Sequence, residues 1–315
     1  MKLLILLFLL LTGFILTNSA LSLNYASLGL ELWFTKMIPA LLPFMILSGI
    51  MVRMQLTEKL SMLLYPVIGP IYQVRKNVCY CMMMGFLCGF PMGAKVVAEL
   101  YERQMLTKKE AEYLLAFCNN IGPVYFCSFV LPLLERKLVL PYLFGMYGIP
   151  LLYGLLLRYT LFRSLKTMPD APLPSAALCC CGKEKKQKST LECLLEETNA
   201  SVFASVQSML ILGGYMILFN LLNLIPHIFL GHPFAVLAPL LEITGGLMQL
   251  KASLPLYSLL VLSFGGLSCI AQTYSCISGT DLSIYDYILH KVILTLLTGL
   301  FYLGWFLFAP ASFLC

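Results

Sequence analysis

Apolar residues run along this chain in blocks, without the alternation of a strand or the single stripe of a soluble amphipathic helix. Residues 3–16 carry one polar side chain, Thr12, and residues 37–52 carry one, Ser48. Residues 138–157 carry no ionisable side chain other than tyrosine. Blocks near ~20 residues match a hydrocarbon core of ~30 Å at the helical rise. Since lipid cannot satisfy free backbone groups, such blocks are helices. The pattern predicts full spans near 3–21, 33–52, 138–162, 202–225 and 284–308.

Between them lie apolar pieces too short to cross, at 60–72, 78–90, 124–134, 234–241 and 254–264. Three end in helix breakers, Gly89-Phe90-Pro91-Met92-Gly93, Thr244-Gly245-Gly246 after Glu242, and Gly265-Gly266-Leu267-Ser268, and a fourth breaker, the run Asn119-Asn120-Ile121 before Gly122-Pro123, precedes the piece at 124–134. Interrupted helices at corresponding places in two halves are a sequence pointer to a transporter site. The expected fold is therefore an all-α integral membrane protein, a multi-span helical bundle with two repeat-like blocks of broken or re-entrant helices. The expected divisions are an N-terminal transmembrane helix over 1–30, a first membrane repeat over 31–166, a cytoplasmic linker over 167–198 and a second repeat over 199–315. By analogy with such transporters the repeats are expected to be inverted. Thr107 and Glu110 form a capping-box pattern, so a helix starts there.

Composition agrees. Of 315 residues, 60% are hydrophobic and 11% charged, whereas a soluble domain carries about a quarter charged. The net charge of +6 sits between apolar blocks, which reads as topology and not as a nucleic-acid surface. Its densest run, Arg158, Arg163, Lys166, Lys183, Lys185, Lys186 and Lys188, places that loop in the cytoplasm. The N-terminal block, with Lys2 before it and Asn18-Ser19-Ala20 after it, imitates a signal peptide. We read it as a first transmembrane helix, because more spans follow and Asn is poor at a cleavage position. Seven of the 12 cysteines (Cys79, Cys81, Cys88, Cys118, Cys127, Cys269, Cys276) lie in apolar runs as small hydrophobes. Cys179-Cys180-Cys181 are loop thiols, with palmitoylation or metal binding as the alternative.

A charge at bilayer depth is costly and faces a cavity or a partner. Lys95 and Glu99 share a helix face, as a pair lining a pocket, as an internal ion pair, or on an interfacial helix from which Lys95 snorkels. Asn119 and Asn120 offer amides at a break, for a ligand or as a helix cap. Glu242 is an intramembrane carboxylate, with Lys95 or a bound cation as partner, or an interfacial residue. Thr244, Ser268 and Gln272 complete the pocket or stitch helices together. His227, His232 and His290 fit no catalytic order. We expect no catalytic residue, metal or cofactor.

The stretch Gly89–Lys95, Glu99-Leu100, then Leu106–Ala111, Leu115–Asn120 and Gly122-Pro123 resembles the nucleoside-recognition (Gate) region, and more narrowly the YlbJ-type sporulation membrane proteins. Leu241–Gly246, Ser263–Ser268 and Gln272 resemble that family's second block. The resemblance covers about 35–308. It implies a pore or gate of the kind found in concentrative nucleoside transporters, ferrous-iron transporters and spore-maturation proteins, with a role in building the spore envelope. Ile121 stands where the family has Ser, which removes a hydroxyl from the implied site. The expected function is a transporter or gated pore for a small polar solute or ion, acting in sporulation; the alternative is a non-transporting structural membrane protein. Expected partners are the lipid bilayer, the solute, and further copies of the chain or sporulation membrane proteins.

Overall fold

Asn18 is where the first apolar block stops being one helix. In the computed structural model, which describes residues 2–54, 56, 59, 61–133, 138–165, 190–250 and 253–308, helix α1 (Lys2–Thr17) ends there at φ −121°, ψ 48°. Helix α2 then runs from Ser19 to Arg53 without a loop, through a wide π-helical turn at Trp33–Met37. This corrects the expected spans at 3–21 and 33–52. Asn24, Glu31 and Lys36 lower the hydropathy between them, yet none of these residue types breaks a helix. At 35 residues α2 is about 52 Å long, so it projects beyond the hydrocarbon.

All regular structure among the described residues is helical. Among the described residues five helices are long and apolar enough to cross: Ser19–Arg53, Val139–Tyr159, Leu191–Leu230, Pro255–Ile277 and Ile284–Phe308. Large apolar side chains such as Phe34, Leu152, Phe203, Leu300 and Phe308 point outward. Lipid is their natural solvent, and the protein is a multi-pass helical membrane protein.

Helix α9 (Thr190–Leu221) begins inside the stretch read as linker and lies antiparallel along α2. Gly29 meets the Ile217 backbone, Trp33 Nε1 donates to the Met209 carbonyl at 2.9 Å, Ser201 Oγ donates to the Ile46 carbonyl at 2.7 Å, and Arg53 lies 3.9 Å from Glu197. Gly29, Gly49 and Gly213 stand at this contact. Their missing side chains let the backbones approach, as small residues do between membrane helices.

In the first half, α3 (Tyr65–Tyr72) precedes α4 (Lys76–Cys88) and α5 (Met92–Glu102). At 13 and 11 residues, α4 and α5 are about 20 and 16 Å long, half a bilayer each. They fold back on each other at Gly89, whose φ of +76° suits glycine, and Gly85 faces Gly93 near the tip. Helix α6 (Lys108–Leu115) carries the predicted capping box. It stops before an irregular stretch at 117–122, and Pro123 opens α7 (Pro123–Tyr125), which widens into a π turn. Helix α8 (Val139–Tyr159) crosses back.

The second half follows the same order. After α9 come α10 (Leu224–Leu230), α11 (Ala238–Leu241) and α12 (Ile243–Leu250), the last two folded together. Helices α13 (Pro255–Phe264) and α14 (Gly266–Ile277) form one crossing interrupted where Gly265 and Gly266 have φ of +83° and +82°. Helix α15 (Ile284–Phe308) ends the fold. Gly245 and Gly246 are not the break expected there: they lie within α12, packed against Asn220 and Pro239, and the chain turns at Glu242.

Polar contacts sort the helix ends. Arg75 forks onto Glu110, Tyr101 and Lys108 both reach Asp281 at 2.7 and 2.8 Å, and Arg158 donates to the Gln73 carbonyl at 3.1 Å. One end therefore collects the start of α4, α6 and α15 and the end of α5, α8 and α14. Burial raises the Glu110 pKa, but its bonds from Arg75 and Thr107 outweigh that and hold it below the ordinary carboxylate value. Lys108 and Tyr101 lower that of Asp281. Tyr257 OH donates to the Val236 carbonyl at the opposite end. Hence the α4–α5 pair enters from the basic end and the α11–α12 pair from the other. Cys179–Cys181, Arg136, Lys137 and the lysines at 166 and 183–188 lie outside the described residues.

Candidate functional site

The tips of the two short-helix pairs come together inside the bundle. Tyr125 OH, from just after the first irregular stretch, donates to Thr244 Oγ1 at 3.2 Å, and the Phe90 ring lies beside Gly265. Between them is a cavity of about 30 Å³ whose walls include Phe90, Gly122, Tyr125, Glu242, Thr244 and Gln272, room for a water molecule or two.

A larger cleft of about 350 Å³ lies between α2, α5, α9 and α14, and Leu212 and Gln272 line both spaces. Its wall is rich in hydroxyls, with Ser48, Ser201, Ser205, Ser208 and Ser275, and carries Arg53, Lys95, Glu99, Glu102 and Arg103. The charged residues other than Lys95 sit toward the basic end. Lys95 lies deeper, donating to Ser208 Oγ at 2.9 Å and the Ala204 carbonyl at 3.3 Å. It does not pair with Glu99 as expected: Glu99 takes Arg103, one turn on, at 3.3 Å. The physical reason is direction. Lys95 reaches across to α9, where neutral oxygens accept it, while Glu99 points to the wetter mouth.

Glu242, 1% exposed, forms no ion pair with Lys95 or with any other described residue. It caps α12: Oε1 accepts from the Thr244 N–H at 3.1 Å, and Oε2 from the Gly245 N–H at 2.6 Å and from Asn220 Nδ2 at 3.0 Å. A carboxylate on free N–H groups at a helix start is a favourable arrangement. Ser268 accepts from Gln272 Nε2 at 2.9 Å and lines neither space.

Asn119 and Asn120 also line neither. They sit at the end of α6 in a separate buried network. Asn119 Nδ2 donates to Thr273 Oγ1 at 2.9 Å and Tyr287 OH at 3.2 Å, and Asn120 Nδ2 donates to the Phe117 carbonyl at 2.6 Å. The Phe90 N–H donates to the Asn120 carbonyl at 2.7 Å, and Gly89 packs on Gly122, so the first tip is tied to this stretch. Pro91 reaches the cleft; Gly93 packs on Cys118 and Asn119. Lys291 of α15 joins the network, donating to the Asn119 carbonyl at 3.0 Å and to Asn120 Oδ1 at 3.2 Å.

Sequence reasoning passed over Lys291 and the serines of α9. Both had signals: a lysine within the last apolar block, and hydroxyls at 201, 205 and 208, spaced four and three apart on one helix face. No cluster of three metal-ligating side chains occurs among the described residues.

The sequence is 26% identical over 224 residues to the sporulation integral membrane protein YlbJ of Bacillus subtilis (strain 168), an alignment covering 69% of this chain and 54% of the relative. The chain is similar to YlbJ over most of its length. It spans about half the length of YlbJ, which is named as an integral membrane protein. No protein-family model matches the chain, and no solved structure matches it.

Proposed function

We propose that this protein is a transporter or gated pore for a small polar solute or ion, that it acts in sporulation as the name of YlbJ says of that protein, and that it does no enzymatic chemistry. One observation carries the reading: a hydroxyl- and lysine-lined cleft of about 350 Å³ runs into a membrane bundle and ends at Gln272, between the tips of two short-helix pairs. A purely structural bundle gains nothing from lining an open cleft with an ammonium and serine hydroxyls, since polar groups in the bilayer are costly. The antiparallel α2 and α9, and short pairs entering from opposite ends, support an inverted repeat in which one half rocks against the other. The interrupted stretches are those that resemble Gate regions.

The test is complementation of a host strain lacking the gene, with wild type or with Lys95→Ala combined with Gln272→Ala, each checked for normal membrane level. Neither residue caps a helix, so the variant is expected to insert normally and to fail to restore heat-resistant spores. Full restoration would favour the structural reading instead.

A further inference from the structure

The irregular stretch that follows α6 turns two oxygens toward α15. The Asn119 carbonyl and the Asn120 carboxamide oxygen point into a volume closed by α15 and the Phe90 ring, while Asn119 Oδ1 faces Gly93 of α5. Asn119 is 3% exposed, and its Oδ1 has no donor in reach. They stand at the C-terminal, electronegative end of α6. Lys291, 2% exposed, enters this volume about 10 Å into α15. Its Nζ is 3.0 Å from the Asn119 carbonyl oxygen and 3.2 Å from Asn120 Oδ1, and lies 5.6 Å from the centroid of the Phe90 ring.

We propose that Lys291 is a built-in monovalent cation, its ammonium filling an oxygen-lined cation site at the break between α6 and α7. None of the ion pairs formed by described residues involves it. A lysine at this depth ordinarily meets a carboxylate or a cavity; this one meets neutral oxygens on one side and a π face on the other. Carbonyl and carboxamide oxygens are the ligands a hard cation takes, and an aromatic face adds attraction for a cation. The ammonium is therefore held as a sodium or potassium ion would be, with one difference: it is tethered and cannot leave. A resident cation carries no gradient energy, so this break needs no ion from solution to stay neutralised. The inference is independent of which solute the large cleft takes.

The experiment is thermal unfolding of the purified full chain in lipid nanodiscs, in sodium, potassium or choline chloride at equal ionic strength. Wild type is expected to melt at the same temperature in all three. Lys291→Ala empties the volume and should melt lower in choline, then recover saturably as sodium or potassium is titrated in, because a ligand that binds only the folded state raises its stability. Lys291→Met fills the same volume without charge and should melt lower with no recovery. Adding Asn120→Ala to Lys291→Ala removes a ligand and should abolish the recovery. A saturable sodium- or potassium-specific rise in wild type would overturn the proposal. So would a Lys291→Ala protein that is equally unstable in every salt, or that cannot be obtained folded from cells, whose cytoplasm supplies potassium.

Discussion

At the scale of single residues, buried charges in this protein are held by short-range oxygen and N–H partners more than by each other. Glu242 is the clearest instance. Its three acceptor contacts serve the first turn of α12 and Asn220, so its removal strands buried donors. Glu242→Ala is expected to lower stability by about 2–4 kcal/mol, the range for several lost bonds to a charged acceptor. Glu242→Gln should cost less, roughly half, because one oxygen still accepts while the amide opposes a donor. Melting curves in nanodiscs check this. A Glu242→Gln protein as stable as wild type would mean that the cap does not need the charge. The residue type was legible as something important at bilayer depth; its role was not, because a helix cap depends on where the chain turns, and the neighbouring Gly245-Gly246 suggested the wrong turn. For Lys95 and Glu99 the i, i+4 spacing was correct, but spacing fixes a shared face and leaves each side chain free to find a better partner.

At the scale of elements, glycine does two jobs that look identical in sequence. At Gly89 and Gly265 the backbone has positive φ, and breaks expected there are present. At Gly29, Gly213, Gly245 and Gly246 the backbone is helical and the missing side chain makes room for a neighbour. A Gly-Gly pair cannot say which applies, since that depends on what packs against it. The α2–α9 contact offers a matched test. A methyl group at Gly213 would lie 2.6 Å from the Trp33 ring, whereas one at Gly214 would meet nothing within 4 Å. Gly213→Ala is therefore expected to destabilise by about 1–3 kcal/mol through overpacking. Gly214→Ala should be neutral or stabilise by up to about 1 kcal/mol, as alanine replaces glycine in a helix. Equal effects at the two positions would mean that α2 and α9 do not meet on this face. The long continuous α2 was the least legible element. A dip in hydropathy looks the same whether it marks a loop or a helix leaving the hydrocarbon.

At the scale of the molecule, topology follows from which charges share an end. Arg53, Arg75, Lys76, Arg103, Lys108, Lys109, Arg158 and Arg163 gather at the end that also holds Asp281, while the loop holding His232 lies at the other. Basic residues favour the cytoplasm, so the α4–α5 pair and the mouth of the large cleft should open to the cytoplasm. Alkaline phosphatase fused after Arg163 should then be inactive and fused after His232 active, with one crossing, α9, between them. Fusions after Gln73 and after Arg103 should both be inactive. Two full crossings between Gln73 and Arg103 would give the same sign, but α4 and α5 are too short for that: 13 and 11 residues against the ~20 a crossing needs. Opposite signs at Gln73 and Arg103 would mean that the pair is not re-entrant. Opposite signs at Arg163 and His232, but with Arg163 active, would invert the whole molecule and turn the cleft outward. The cleft, the basic end and the hairpin direction therefore stand or fall on the same four fusions.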